Sequence, residues 1–213
     1  MAKKKTRPKQ ERGLRTREAL LQAAIQSLTE SHIYGLRFSQ ISKIANVPQP
    51  LLDYHFPSLE ALLIDMVGYE LEKFKNLSVD AIEKNASHPR KALSAYIRVV
   101  FELAEADAGF RAVWSSYYHL TTVNKDFAAF NRGVRQTGNE RLMALVLAVV
   151  KAEDRLNAGK GRRVQETATC IQGLITGHGF MAASESDGDF KVLADLAVKA
   201  AFQLLEANFP LQA

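Results

Sequence analysis

The chain has 213 residues, 47% hydrophobic and 24% charged, the balance of an ordinary globular protein able to bury a sizeable core. Its formal net charge of +5 conceals an asymmetry, because residues 1–17 carry Lys3, Lys4, Lys5, Arg7, Lys9, Arg12, Arg15 and Arg17 against Glu11 alone, while the remainder is slightly acidic. A single cysteine, Cys170, excludes an intrachain disulfide, a thiol redox pair and a zinc site of paired thiolates. Charges also interrupt every apolar stretch short of the roughly 18 residues of a membrane span. The expectation is a cytoplasmic protein without membrane association, metal or cofactor, whose basic front end, a flexible arm over residues 1–11, suits a polyanion.

Between Arg12 and Ser31, Leu14, Leu20, Leu21, Ala24, Ile25 and Leu28 recur at helical spacing and predict a first helix with one buried stripe. "HIYGLRF" ends it, with Gly35 supplying the turn. Ser39 is placed to cap a short second helix through Ala45 that buries Ile41 and Ile44. Asn46 follows where a left-handed residue is wanted, Val47 plugs the corner, and residues 48–54 make a short third helix whose prolines fall in the first turn. Ser58 opens a long helix to about Asn85, and Pro89 begins another carrying Leu93, Tyr96, Ile97, Val100, Phe101 and Leu103. The aromatic segment "FRAVWSSYYHL" comes next, then a long helix over 124–150, the polar loop "EDRLNAGKGR", and two final helices near 162–183 and 190–208. No strand pattern or internal repeat interrupts them, so the expected fold is all-α with about nine helices.

Two short helices joined by a tight turn, behind a supporting helix, are the helix-turn-helix arrangement, in which the second short helix enters a DNA major groove. The run "TREALLQAAIQSLTESHIYGLRFSQISKIANVPQPLLDYHFPSLEALL" resembles the N-terminal domain of the TetR family of bacterial transcriptional regulators. The likeness covers residues 16–63 and rests on the spaced set Ala45, Val47, Leu52, Tyr54, His55, Phe56, Ser58, Glu60, Ala61 and Leu62; the rest of the chain matches in length and helix layout. The resemblance implies a DNA-binding headpiece over 12–57 and a ligand-binding and dimerisation domain over 58–213. The corresponding function is that of a homodimeric repressor released from double-stranded DNA by a small-molecule effector.

Read from the residues themselves, Leu52 and Phe56 face the headpiece core, while Gln49, Leu51, Asp53, Tyr54 and His55 are left for a duplex. Gln reads adenine bidentately, and Tyr and His donate to phosphates. Arg37, Ser39 and Pro50 complete the candidate DNA-facing set. Departures from the family pattern fall on the same surface: Asn46 stands for the usual Gly, Pro48 for a capping Ser or Thr, Leu51 for Thr, Asp53 for Tyr, and Leu59 for a Lys that often touches a phosphate. Asp53 either accepts from a cytosine amino group or pairs with Arg37 or Lys43. The loss of two phosphate contacts keeps an alternative open, a helical sensor or adaptor without sequence-specific DNA binding.

A sensor requires a ligand site, and Phe110, Trp114, Tyr117, Tyr118 and His119, flanked by Phe101, Phe127 and Phe130, are the richest candidate. The same aromatic spacing equally suits a plain core. Glu102 and Glu105 offer carboxylates, which with the aromatic rings suit a cation. Cys170, Leu174 and His178 follow at i, i+4 and i+8 as further candidate ligand-lining residues, His178 being placed for packing rather than for a metal. The last two helices carry Ala168, Ile171, Leu174, Ile175, Gly177 and Ala182 on one, and Leu193, Leu196, Ala197, Ala200, Ala201, Leu204 and Leu205 on the other. These faces are wide enough to pack on a symmetry mate as a four-helix bundle. An enzyme is not expected. Gly159-Lys160-Gly161 and Gly177-His178-Gly179 follow no strand, and Cys170 stands two helical turns from His178.

Overall fold

The structure, a computed structural model, describes residues 7–155, 161–184 and 189–210. Lys3, Lys4 and Lys5 of the basic arm, and Gly159 and Lys160 of the polar loop, lie outside the described residues. Among those described, the chain forms nine helices and no strand, the all-α architecture that the periodicity predicts. They are α1 (Arg7–Gly35), α2 (Phe38–Ile44), α3 (Gln49–His55), α4 (Leu59–Glu83), α5 (Pro89–Ala106), α6 (Ala108–Val123), α7 (Lys125–Ala152), α8 (Gly161–Ser184) and α9 (Phe190–Asn208).

Most boundaries follow from local chemistry. Ser58 Oγ accepts from the Ala61 N–H at 3.2 Å and Asn124 Oδ1 from the Asp126 N–H at 2.8 Å, so each satisfies a backbone donor that the helix itself leaves open. Two boundaries depart from the sequence reading. The α1 backbone begins at Arg7 rather than Arg12, because Pro8 in a first turn removes no intrahelical bond and no later residue of that stretch breaks a helix. The α2 N-cap is Arg37 with no side-chain cap, and Ser39 lies inside the helix, its carbonyl accepting from Ser42 Oγ at 3.0 Å.

The chain divides into two compact units, residues 1–71 with 108–118, and residues 72–107 with 119–213. The core of the first collects Leu20, Ala24 and Leu28 of α1, Leu36, Ile41 of α2, Leu52 of α3, Phe56, and Leu62 and Met66 of α4, each at most 1% exposed. Burying a side chain of this size contributes about 1.5–3 kcal/mol. At the edge of this core Arg17 pairs with Asp65 and lies 5.3 Å from the centroid of the Phe56 ring, tying α1 to both the end of α3 and α4. Leu14, expected in the buried stripe, is 65% exposed, because the stripe begins at Leu20 and α1 runs on past the apolar core. The backbone leaves the helix at His32 (φ 55, ψ 177), where the sequence reading ends it. Gly35 then closes the corner: a Cβ there would stand 2.7 Å from Ser31 Cβ.

In the second unit a single cluster joins Leu93, Tyr96, Ile97 and Phe101 of α5, Leu142, Val146, Val149 and Val150 of α7, Val164, Ala168 and Ile171 of α8, and Ala197, Ala201 and Leu205 of α9. Arg90 at the start of α5 pairs with Glu153 and, at 3.1 Å, with Glu206, and its guanidinium lies 4.8 Å from the centroid of the Phe202 ring. Arg155, 7% exposed, donates to the Phe209 carbonyl at 2.7 Å and holds the end of α9. No helix among the described residues is long and apolar enough to cross a membrane.

Candidate nucleic-acid interface and aromatic cluster

The corner between α2 and α3 is built by three residues. Ala45 is still right-handed, Asn46 takes φ 52, and two hydrogen bonds close the end of α2, from Asn46 N–H to the Lys43 carbonyl at 3.2 Å and from Val47 N–H to the Ser42 carbonyl at 3.0 Å. This is a Schellman closure with Asn in the position that usually holds Gly; a short polar side chain tolerates the left-handed region. Pro48, extended at φ −62 and ψ 139, caps α3 through its carbonyl, which accepts from the Leu51 N–H at 3.0 Å, and Pro50 sits in the first turn.

Helix α3 has seven residues, roughly two turns. Leu52 and the C-cap Phe56 are both 0% exposed, which fixes the rotation of the helix. The opposite face presents Gln49, Pro50, Asp53 and Tyr54 to solvent, with Tyr54 82% exposed, while Leu51 and His55 are half-buried at its margins. The Tyr54 and His55 rings meet edge to face at 5.2 Å. Arg37 is exposed, but its Nη1 donates to the Tyr34 and Leu36 carbonyls at 2.9 and 2.8 Å. Asp53 makes no ion pair among the described residues, so neither Arg37 nor Lys43 neutralises it and the outward face of α3 carries an open negative charge. Tyr34, 78% exposed in the corner before α2, is an outward aromatic side chain beyond those the sequence reading singles out; its position in "HIYGLRF", one residue before the turn, was the available signal.

The candidate ligand-lining residues divide between the two units. Phe110, Trp114, Tyr117 and Tyr118, at i, i+4, i+7 and i+8 on α6, form one aromatic face in the first unit. The Trp114 ring lies 5.9 Å from Phe110, 5.4 Å from Tyr117 and 5.8 Å from Tyr118. Burial, and secondarily Tyr118, pushes the Tyr117 phenol above its ordinary range. Phe101, Glu102, Phe127, Cys170, Leu174 and His178 belong to the second unit. There Phe101 and Phe127 are buried at 1% and 0%, Glu102 and Cys170 are exposed, and half-buried His178 donates from Nδ1 to the Leu174 carbonyl at 2.9 Å.

On α8 and α9 the structure separates two apolar sets that the sequence runs together. Ala168, Ile171, Ala182, Ala197, Ala201 and Leu205 are buried within the protomer itself, whereas Phe180, Met181, Val192 and Leu196 are 48–50% exposed. Of these four, the sequence reading names only Leu196.

A three-helix headpiece with this corner and this outward helix, in an all-α chain, defines a helix-turn-helix protein. Comparison with known proteins narrows the class. The HTH-type transcriptional regulator BetI of Rhizobium meliloti is 32% identical over 102 residues, 48% of this chain and 50% of that protein. The chain therefore matches only half the length of that relative. BetI of Agrobacterium fabrum is 25% identical over 171 residues, 78% of each chain. No protein-family model matches. Among solved structures, a transcriptional regulator from Rhodococcus superposes with a TM-score of 0.76 at 15% identity, covering 92% of this chain and 99% of that one. A TetR transcription regulator from Haloarcula marismortui superposes at 0.73, with 16% identity and coverage of 90% and 97%. The multidrug binding protein EbrR, complexed with imidazole, superposes at 0.61, with 20% identity and coverage of 92% and 96%. The chain thus shares the fold of TetR-family structures, and the curated relatives it resembles are HTH-type transcriptional regulators.

Proposed function

We propose that the chain is a ligand-responsive transcriptional regulator that binds double-stranded DNA as a homodimer and is released from its operator by a small molecule. The observation that carries this reading is the α2–α3 corner. It rotates Leu52 and Phe56 into the core and turns Gln49, Asp53 and Tyr54 outward on a helix short enough to lie in a major groove. Pro50 shares that face, Arg37, Ser39, Leu51 and His55 complete the proposed DNA-facing set, and the basic residues ahead of α1 supply sequence-independent attraction to phosphates.

One such helix reads too few base pairs for specificity, so a two-fold site and a two-fold protein belong together. The half-exposed Phe180 and Met181 of α8 and Val192 and Leu196 of α9 support a self-complementary face for the second copy. The aromatic face of α6 around Trp114 supports binding of a small, largely apolar effector, which regulates if it prefers one disposition of the two headpieces. Within the second unit, taken by itself, Phe101, Glu102, Phe127, Cys170, Leu174 and His178 remain the proposed ligand-lining residues. Such a protein works in the cytoplasm, where the DNA is.

A gel-shift titration with the DNA flanking its own gene tests the reading. A discrete complex that survives excess random DNA and contains two protomers is expected. The uncompensated charge of Asp53 favours a second reading, a helical sensor that does not bind DNA specifically; equal affinity for flanking and random DNA would select it.

A further inference from the structure

We infer that the α6 aromatic face takes a planar, conjugated ligand carrying a hydrogen-bond-accepting oxygen of the carbonyl type, received by Trp114 Nε1, and not a cation. This rests on the proposal that α6 is the ligand site and adds the chemistry of what binds. The indole Nε1 is closed to solvent and has no hydrogen-bond acceptor among the described residues. An indole N–H only donates, so no change of tautomer relieves it, and an unmade buried donor is among the costlier features a fold retains. Around it stand rings: Phe110 at 5.9 Å, Tyr117 edge to face at 5.4 Å and Tyr118 at 5.8 Å, inclined by 35°.

π-faces bind either a cation or a flat conjugated molecule, and the orphaned donor decides between them. An ammonium has nothing to accept with and leaves Nε1 as it is. A ketone, ester or amide oxygen on a flat frame fills both requirements at once. Phe110 and Tyr117 are buried at 3% and 1%, whereas Tyr118 is half-buried, so Tyr118 is the ring that yields to admit the ligand.

The test uses the full-length protein without DNA and two probes of the same shape, acetophenone and isopropenylbenzene, in which a CH₂ replaces the carbonyl oxygen. Trp114 is the only tryptophan, so its indole N–H gives a single proton resonance. Acetophenone is expected to bind about tenfold tighter by equilibrium dialysis and to move that resonance downfield. Isopropenylbenzene should leave it in place. In Trp114→Phe, checked for retained helical circular dichroism, the preference for the ketone should disappear.

Equal affinities, binding of neither probe, a preference that survives in Trp114→Phe, or an indole N–H already hydrogen-bonded and protected from exchange in the unliganded protein would each overturn the inference. Because no DNA is present, failure of the regulator proposal in the gel shift leaves this outcome readable, and the converse also holds.

Discussion

Replacing Asp53 by Asn removes one negative charge from the proposed recognition face without changing its shape. Asp53 is exposed and has no ion-pair partner among the described residues, so none of those residues offsets its repulsion of a duplex through an ion pair. A unit charge about 5 Å from a phosphate in water is repelled by about 0.8 kcal/mol, and a Debye length of about 8 Å at physiological salt roughly halves that. Two phosphates flank a groove-facing side chain, which brings the total to about 1 kcal/mol, or about fivefold in affinity. Fluorescence anisotropy with the flanking DNA and with a random duplex is the assay, each at low and at physiological salt. Asp53→Asn is expected to tighten both complexes by a similar factor, with the gain shrinking as salt rises. Loss of affinity confined to the specific site, by about 1–3 kcal/mol, would refute the reasoning and show that the carboxylate accepts from a cytosine.

Three further outcomes are expected. Leu196→Glu, which places a charge on the half-exposed apolar face of α9, should shift the protein to a monomer in sedimentation at micromolar concentration; an unchanged dimer would place the interface elsewhere. Glu153→Gln should cost about 1 kcal/mol in urea unfolding at neutral pH, the figure being discounted because its partner Arg90 is 40% exposed. The Arg90 hydrogen bond, more than any other influence, holds the Glu153 carboxyl below its ordinary value of 4.5. A lowered folded-state pKa contributes stability that is present above 4.5 and lost as pH falls through the folded value, so variant and parent should converge in acid. Deleting residues 1–6, with Lys3, Lys4 and Lys5, should reduce the slope of log affinity against log salt by up to about 3. An unchanged slope would mean that these lysines touch no phosphate.

Much of the headpiece was legible because its geometry is set by neighbours in sequence. Asn46 takes φ 52 and closes α2 with hydrogen bonds three and five residues back, all within reach of local propensity. The outward face of α3 followed from Leu52 and Phe56, since a short helix with two inward anchors has one possible rotation. Ser39 was misread as a cap because the same hydroxyl chemistry serves both before and inside a helix, and only the backbone at Arg37 decides which.

The sequence by itself determined the all-α layout that the nine helices of the described residues bear out, the tight corner and the polarity of α3, because helical period, capping and turn residues act over a few positions. Tertiary structure alone decided which apolar residues are used internally. Leu14 and Leu20 look alike in periodicity, yet one is 65% exposed and the other 1%. Ala197 and Leu196 are adjacent on α9, yet only the first packs inside its own protomer. The orphaned indole N–H of Trp114 was likewise invisible, since whether a donor finds an acceptor depends on groups that other turns and other helices bring to it. Burial and hydrogen-bond satisfaction belong to the packed assembly of helices, and no window of sequence contains the partners that set them.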